Sequence, residues 1–148
     1  MTTAAAPRFK AALYTVCQSL YSAPIQVAYG HPGIDQQDDI VSIGATTSVL
    51  DVATYSTNRS REETVTCDIT FSCYRGGGAE MEQVCEEQAY ALLGQLETYL
   101  RTTDITLGGV VRWCMVSGID CSGQTDPDVL ALGRCIDLVA TITAHVRI

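Results

Sequence analysis

The sequence is short of cations. Its 148 residues hold nine Lys and Arg against 17 Asp and Glu, a formal net charge of −8. Lys10 is the one lysine; the other eight are arginines. A chain that grips nucleic acid through its phosphates presents a basic face or stripe, so non-specific binding is excluded as the main task. No apolar run nears the roughly 18–20 residues that cross a bilayer as a helix. The opening MTTAAAPRFK lacks the basic start and apolar stretch of a secretory signal, so the expected compartment is a cytoplasm. Histidine is scarce, at His31 and His145. CxxC is absent, and the seven cysteines are an odd number at spacings that fit no zinc pattern. In a reducing compartment they read as free thiols serving as small core hydrophobes.

What is present suits one globular domain over 1–148. Apolar residues make up 47% of the chain, which excludes wholesale disorder. A chain this long also hides enough surface for one core. Residues 1–6 are small and read as a disordered tail. From Pro7, a favoured helix-start residue, Phe9, Leu13, Val16, Cys17 and Leu20 recur at helical spacing. Ile25, Val27 and Tyr29 alternate as a strand, and GHPG at 30–33 is a turn. After an acidic loop over 34–39, Ile40 to Gly44 forms a second short strand. The Thr/Ser-rich stretch 45–61 reads as a long hairpin arm or a docking loop.

The clearest strand places Val65, Cys67, Ile69, Phe71 and Cys73 on one face and Thr66, Asp68, Thr70 and Ser72 on the other. That alternation is expected of an antiparallel sheet covered on one side. After Gly76–Gly78 a helix over 79–101 buries Met81, Val84, Cys85, Ala89, Leu92, Leu96 and Leu100. Val111, Trp113 and Met115 alternate with Arg112, Cys114 and Val116 in a fourth strand, and 118–130 is a loop. In the fifth strand Ile136, Leu138, Ala140, Ile142, Ala144 and Val146 share a face. The predicted order is αβββαββ: an α+β fold, a mainly antiparallel sheet of about five strands with two helices packed on it.

Candidate chemistry is thin. His31 with Asp35, Asp38 and Asp39 does not follow the spacing of a calcium loop and reads as a solvated turn. Gly76–Gly78 precedes a helix, but Ala79-Glu80 follows where a phosphate loop needs Lys and Ser or Thr. Thiols on apolar faces are inert, and no nucleophile has a base beside it in sequence. The Glu-rich first third of the second helix reads as a solvated face. The outer faces of strands three and five carry Thr64, Thr66, Asp68 and Thr70, and Asp137, His145 and Arg147. They fit an ordinary solvent face or a wet protein–protein contact equally well.

Taken in order, the blocks resemble tail terminator (tail-completion) proteins of long-tailed bacteriophages. The resemblance rests on a short N-terminal helix, then VAYGHPG and DDIVSIG at 27–33 and 38–44. Arg61-Glu62-Glu63 then opens TVTCDITFSC, and EEQAYALLGQLETYLR runs into TDITLGGVV at 103–111. LGRCIDLVATITAHVRI closes the series, so that the blocks cover most of residues 8–148.

The resemblance implies a structural protein of the virion neck, assembled in the host cytoplasm, with no enzymatic activity and no cofactor. Its implied partners are itself, as a homohexameric ring, the tail tube protein, and a head-completion or connector protein. DNA passes through the lumen without sequence-specific binding, and no membrane is involved. A ring joins one patch to a different patch, and strand edges and long loops are natural suppliers of such patches. The candidate assembly residues are Asp51, Tyr55, Arg59, Arg61, Glu62, Asp120, Asp126 and Asp128. The alternatives are a head–tail connector ring and, in a different class, a small cytoplasmic α+β enzyme or ligand-binding domain.

Overall fold

A computed structural model describes residues 4–55, 60–121 and 132–147. Helix α1 spans Ala6–Leu20, strand β1 Gln26–Tyr29, β2 Asp39–Val52 and β3 Arg61–Gly76. Helix α2 follows at Glu80–Thr98 and ends in a π turn over Tyr99–Thr103. Strands β4, Trp113–Asp120, and β5, Gly133–Arg147, complete the chain. The five strands form one sheet in the order β1-β2-β3-β5-β4. β1 and β2 run parallel; the other three pairings are antiparallel. The fold is therefore α+β with the expected element order.

Both helices lie on the same face of the sheet. α2 packs across β3 and β5, while α1 packs against β1 and β2. The alternation of β3 and β5 explains the layer. Val65, Cys67, Ile69, Phe71 and Cys73 are fully buried under the helices, as are Leu138, Ala140, Ile142 and Ala144. From α1 come Phe9, Leu13 and Cys17; from α2 come Cys85, Ala89, Leu92, Leu93 and Leu96. The Tyr21 hydroxyl donates to the Leu92 carbonyl and its ring meets Phe71 edge-on, so the exit of α1 is tied to α2 and the sheet. Burial pushes the Tyr21 hydroxyl above its ordinary pKa, which keeps it a donor.

Several expectations need correction. The expected disordered tail over 1–6 does not hold at its end: Ala5 is buried and α1 starts at Ala6, while 1–3 lie outside the described residues. Ala5 is held because its amide donates to Glu63 Oε2 at 3.0 Å. The second strand does not stop at Gly44. A bulge between Ile43 and Thr46 is followed by seven further register pairs, Thr46↔Cys67 to Val52↔Arg61. The stretch after 44 is thus a hairpin arm and not a loop, with residues 56–59 outside the described set. It carries no clear alternation because Ala45–Val52 is exposed or half-buried on both faces.

β4 begins two residues later than expected and runs through Gly118–Asp120, which had been assigned to the loop. Its core-facing residue is Cys114, while Trp113 and Met115 lie on the outer face. In α2, Val84 is exposed and Leu93 takes a place in the core.

Candidate assembly surface

Among the described residues no helix covers the second face of the sheet. Cross-strand register lays its residues out in rows. Val49, Thr64, His145 and Trp113 form one row; Thr47, Thr66, Thr143 and Met115 form the next. These rows bind themselves together through short polar contacts. Thr141 Oγ1 donates to Asp68 Oδ1 at 3.0 Å. Ser72 Oγ donates to Asp137 Oδ1 at 2.6 Å, and the Ser117 and Thr143 hydroxyls are 2.6 Å apart. The outcome is a polar surface built from β-branched Thr, which suits strands, with isolated apolar side chains at its margins.

At one end of this face a single carboxylate gathers an imidazole and two guanidinium groups. Glu62 Oε2 lies 2.7 Å from His145 Nε2 and 3.9 Å from Arg112 Nη1, and its Oε1 lies 3.7 Å from Arg147 Nε. Arg112 also donates its backbone amide to the His145 carbonyl at 2.9 Å. The Trp113 ring stacks on the His145 imidazole, 5.9 Å between centroids and 8° from parallel. Arg147 Nη2 donates to Ser60 Oγ at 3.4 Å. β3, β4 and β5 are therefore fastened to one another where the hairpin arm leaves the body of the sheet. Sequence reading noted His145 and Arg147 on an outer face. It missed Arg112 and Trp113, since their neighbours lie over thirty residues away; an aromatic beside a lone Arg at the head of a strand was the available signal.

A second ion pair sits at the opposite end. Arg75 Nη1 and Nη2 meet Asp39 Oδ1 and Oδ2 at 2.6 and 3.0 Å, and Gln88 Nε2 donates to Asp39 Oδ2 at 3.3 Å. This forked pairing, specific to guanidinium and carboxylate, joins β2, β3 and α2. It also engages Asp39 within the chain, away from any cation shared with His31. The His31 Nδ1 accepts the Gly33 amide at 2.9 Å in a local turn.

Reactive groups are poorly poised. Burial pushes all seven thiols up: Cys17 and Cys73 to about 12, Cys67 and Cys114 to about 11, and Cys85, Cys121 and Cys135 in the same direction. A thiol so placed is not a thiolate at neutral pH. Among the described residues, no three His, Cys, Asp or Glu side chains converge on a metal position. A groove of about 580 Å³ between α1 and α2 is lined by Leu20, Ala91, Gly94, Gln95, Thr98, Tyr99 and Thr103. It contains no carboxylate, imidazole or thiol.

The candidate assembly residues fall into two groups that one chain does not bring together. Asp51 and Glu62 are cross-strand partners on the outer face of the arm, and Arg61 pairs in register with Val52 beside them. Tyr55 stands 91% exposed beyond the end of β2. Asp120 is at the far end of β4, opposite Val139. Glu62 is engaged within the chain by Arg112, His145 and Arg147 rather than displayed. Arg59, Asp126 and Asp128 lie outside the described residues. Compared with known proteins, the chain matches no family model and no curated protein sequence.

Proposed function

We propose that this chain is a subunit of a structural ring in the neck of a long-tailed bacteriophage, a tail terminator. The ring caps the completed tail tube, ends the addition of tube subunits and offers the head connector a surface to dock on. The observation that carries the reading is the open polar sheet face, flanked by an edge strand whose Ala45–Val52 is exposed or half-buried on both sides. A small domain that acts alone has no use for so long an exposed edge. A subunit that must contact like subunits does.

The chemistry of the surface agrees with a passive channel part. The thiols are held protonated, and the groove between α1 and α2 holds no carboxylate, imidazole or thiol. A hexamer would carry six times the chain's charge of −8. DNA can pass such a ring without being held, because retention requires phosphate neutralisation by Lys and Arg. The order of sequence blocks that resembles tail terminators supports the specific place in the particle.

Removal of the gene followed by electron microscopy of the lysate tests the reading. Overlong tubes, or heads and tails that fail to join, are the expected result. Normal virions would reject it.

A further inference from the structure

We infer that copies of this chain join edge to edge, the β2 arm of one adding as a strand to β4 of the next. The inference rests on the ring reading and names the junction that would close such a ring. Strand order leaves two edges open. β1 covers β2 only from Ile40 to Ile43, so from Thr46 to Val52 β2 pairs with β3 alone among the described residues. Among the described residues β4 ends the sheet and pairs with β5 alone.

Neither edge is guarded. Monomeric proteins blunt an exposed edge with Lys, Pro, short length or a bulge, since its unpaired amides and carbonyls invite another strand. Neither Lys nor Pro occurs in β2 or β4. Bulges are present, but they lie at Ile43/Thr46 and Val116/Gly118, leaving Thr46–Val52 and Trp113–Val116 in unbroken register with their neighbours. Both edges instead carry exposed apolar side chains: Val49, Leu50 and Val52 on one, Trp113, Met115 and Ile119 on the other. One strand pairing would cover both sets.

Strand direction selects the occupant. β2 is antiparallel to β3, β3 to β5 and β5 to β4, so β2 and β4 run in opposite senses. Rotation about an axis along the strands keeps each direction and each face. The arm of one copy then meets β4 of the next antiparallel, with outer face continuing into outer face. The two patches differ, so the contact is head-to-tail and closes by rotation. The partner is therefore a second copy of this chain.

Two variants test the junction by sedimentation of the full chain. Val49→Lys with Leu50→Lys spoils the arm; Met115→Lys with Ile119→Lys spoils β4. All four positions are about half exposed, so each variant should melt as the wild type does. Wild type should form a closed oligomer and each variant alone a monomer. An equimolar mixture retains one sound arm and one sound β4, and should give a one-to-one dimer and nothing larger. Closed oligomers from either variant, or a mixture that stays monomeric, would overturn the edge junction while leaving the ring reading intact. A monomeric wild type would also overturn the junction. The ring reading itself is decided by the micrographs of the gene deletion.

Discussion

At Glu63 a carboxylate stands fully buried, accepting the Ala5 amide at the start of α1. That helix has no side-chain cap and no acid in its first turn. A residue 58 positions away supplies the acceptor that a free amide at the helix N-terminus needs. Glu63→Ala should lower unfolding stability by about 1–3 kcal/mol, the typical cost of stranding a buried polar group, with Glu63→Gln recovering part of it; urea titration reads both. Leu96 is fully buried in α2, and Leu96→Asp would place a charge there without a partner. No cooperative thermal transition should remain. The thiols predict an alkaline response. Cys17 and Cys73 hold their protons to about 12, against 9.0 for an ordinary thiol. The unfolded chain therefore loses these protons first as pH rises, and stability falls. The melting temperature should be flat below pH 9 and decline toward pH 12, less steeply in Cys17→Ala.

At the scale of elements, the meeting of β3 and β5 shows how closely two strands are matched. Gly76 and Gly133 face each other at the end of their ladder. A Cβ on Gly133 would come 2.3 Å from the Arg75 carbonyl oxygen, which is backbone and cannot swing away; on Gly76 the nearest atom is 3.7 Å off. Gly133→Ala should cost about 1–3 kcal/mol or more by overpacking, while Gly76→Ala should be nearly neutral. The comparison of the two melting curves isolates the close approach from any general dislike of Ala in a strand. The loop before β4 is ordered similarly from within. Asp104 accepts the Thr106 amide at 3.2 Å and the Gly108 amide at 2.8 Å, which sets the turn that delivers Trp113 to the sheet.

For the whole molecule, one layer of helices on one face leaves, among the described residues, a sheet with an open surface and two open edges. A single chain cannot satisfy both, because its edges lie on opposite sides. Ring closure is the arrangement in which every copy completes one neighbour and is completed by another. Without it, an unguarded edge is an aggregation hazard. The arm and β4 variants that keep the wild-type melt should also reduce turbidity on heating, since each adds the charge that edges normally carry; light scattering through the melt gives the comparison.

Legibility followed solvent exposure. β3 and β5 were plain in the sequence because each has one face under helices and one in water, and that contrast writes period two into Val65–Cys73 and Ile136–Val146. The stripes of α1 and α2 were plain for the same reason at period 3.6. The arm was ambiguous because both its faces meet solvent. The side of β4 was obscure because Cys114 and Val116 are as apolar as Trp113 and Met115. The sequence by itself determined the element order, the buried faces and the acidic, lysine-poor character of the chain. Only the tertiary structure decided that β1 lies parallel beside β2, that Glu62 collects Arg112, His145 and Arg147, and which strands end the sheet. Those depend on chain segments far apart in sequence coming side by side, and no local pattern encodes such proximity.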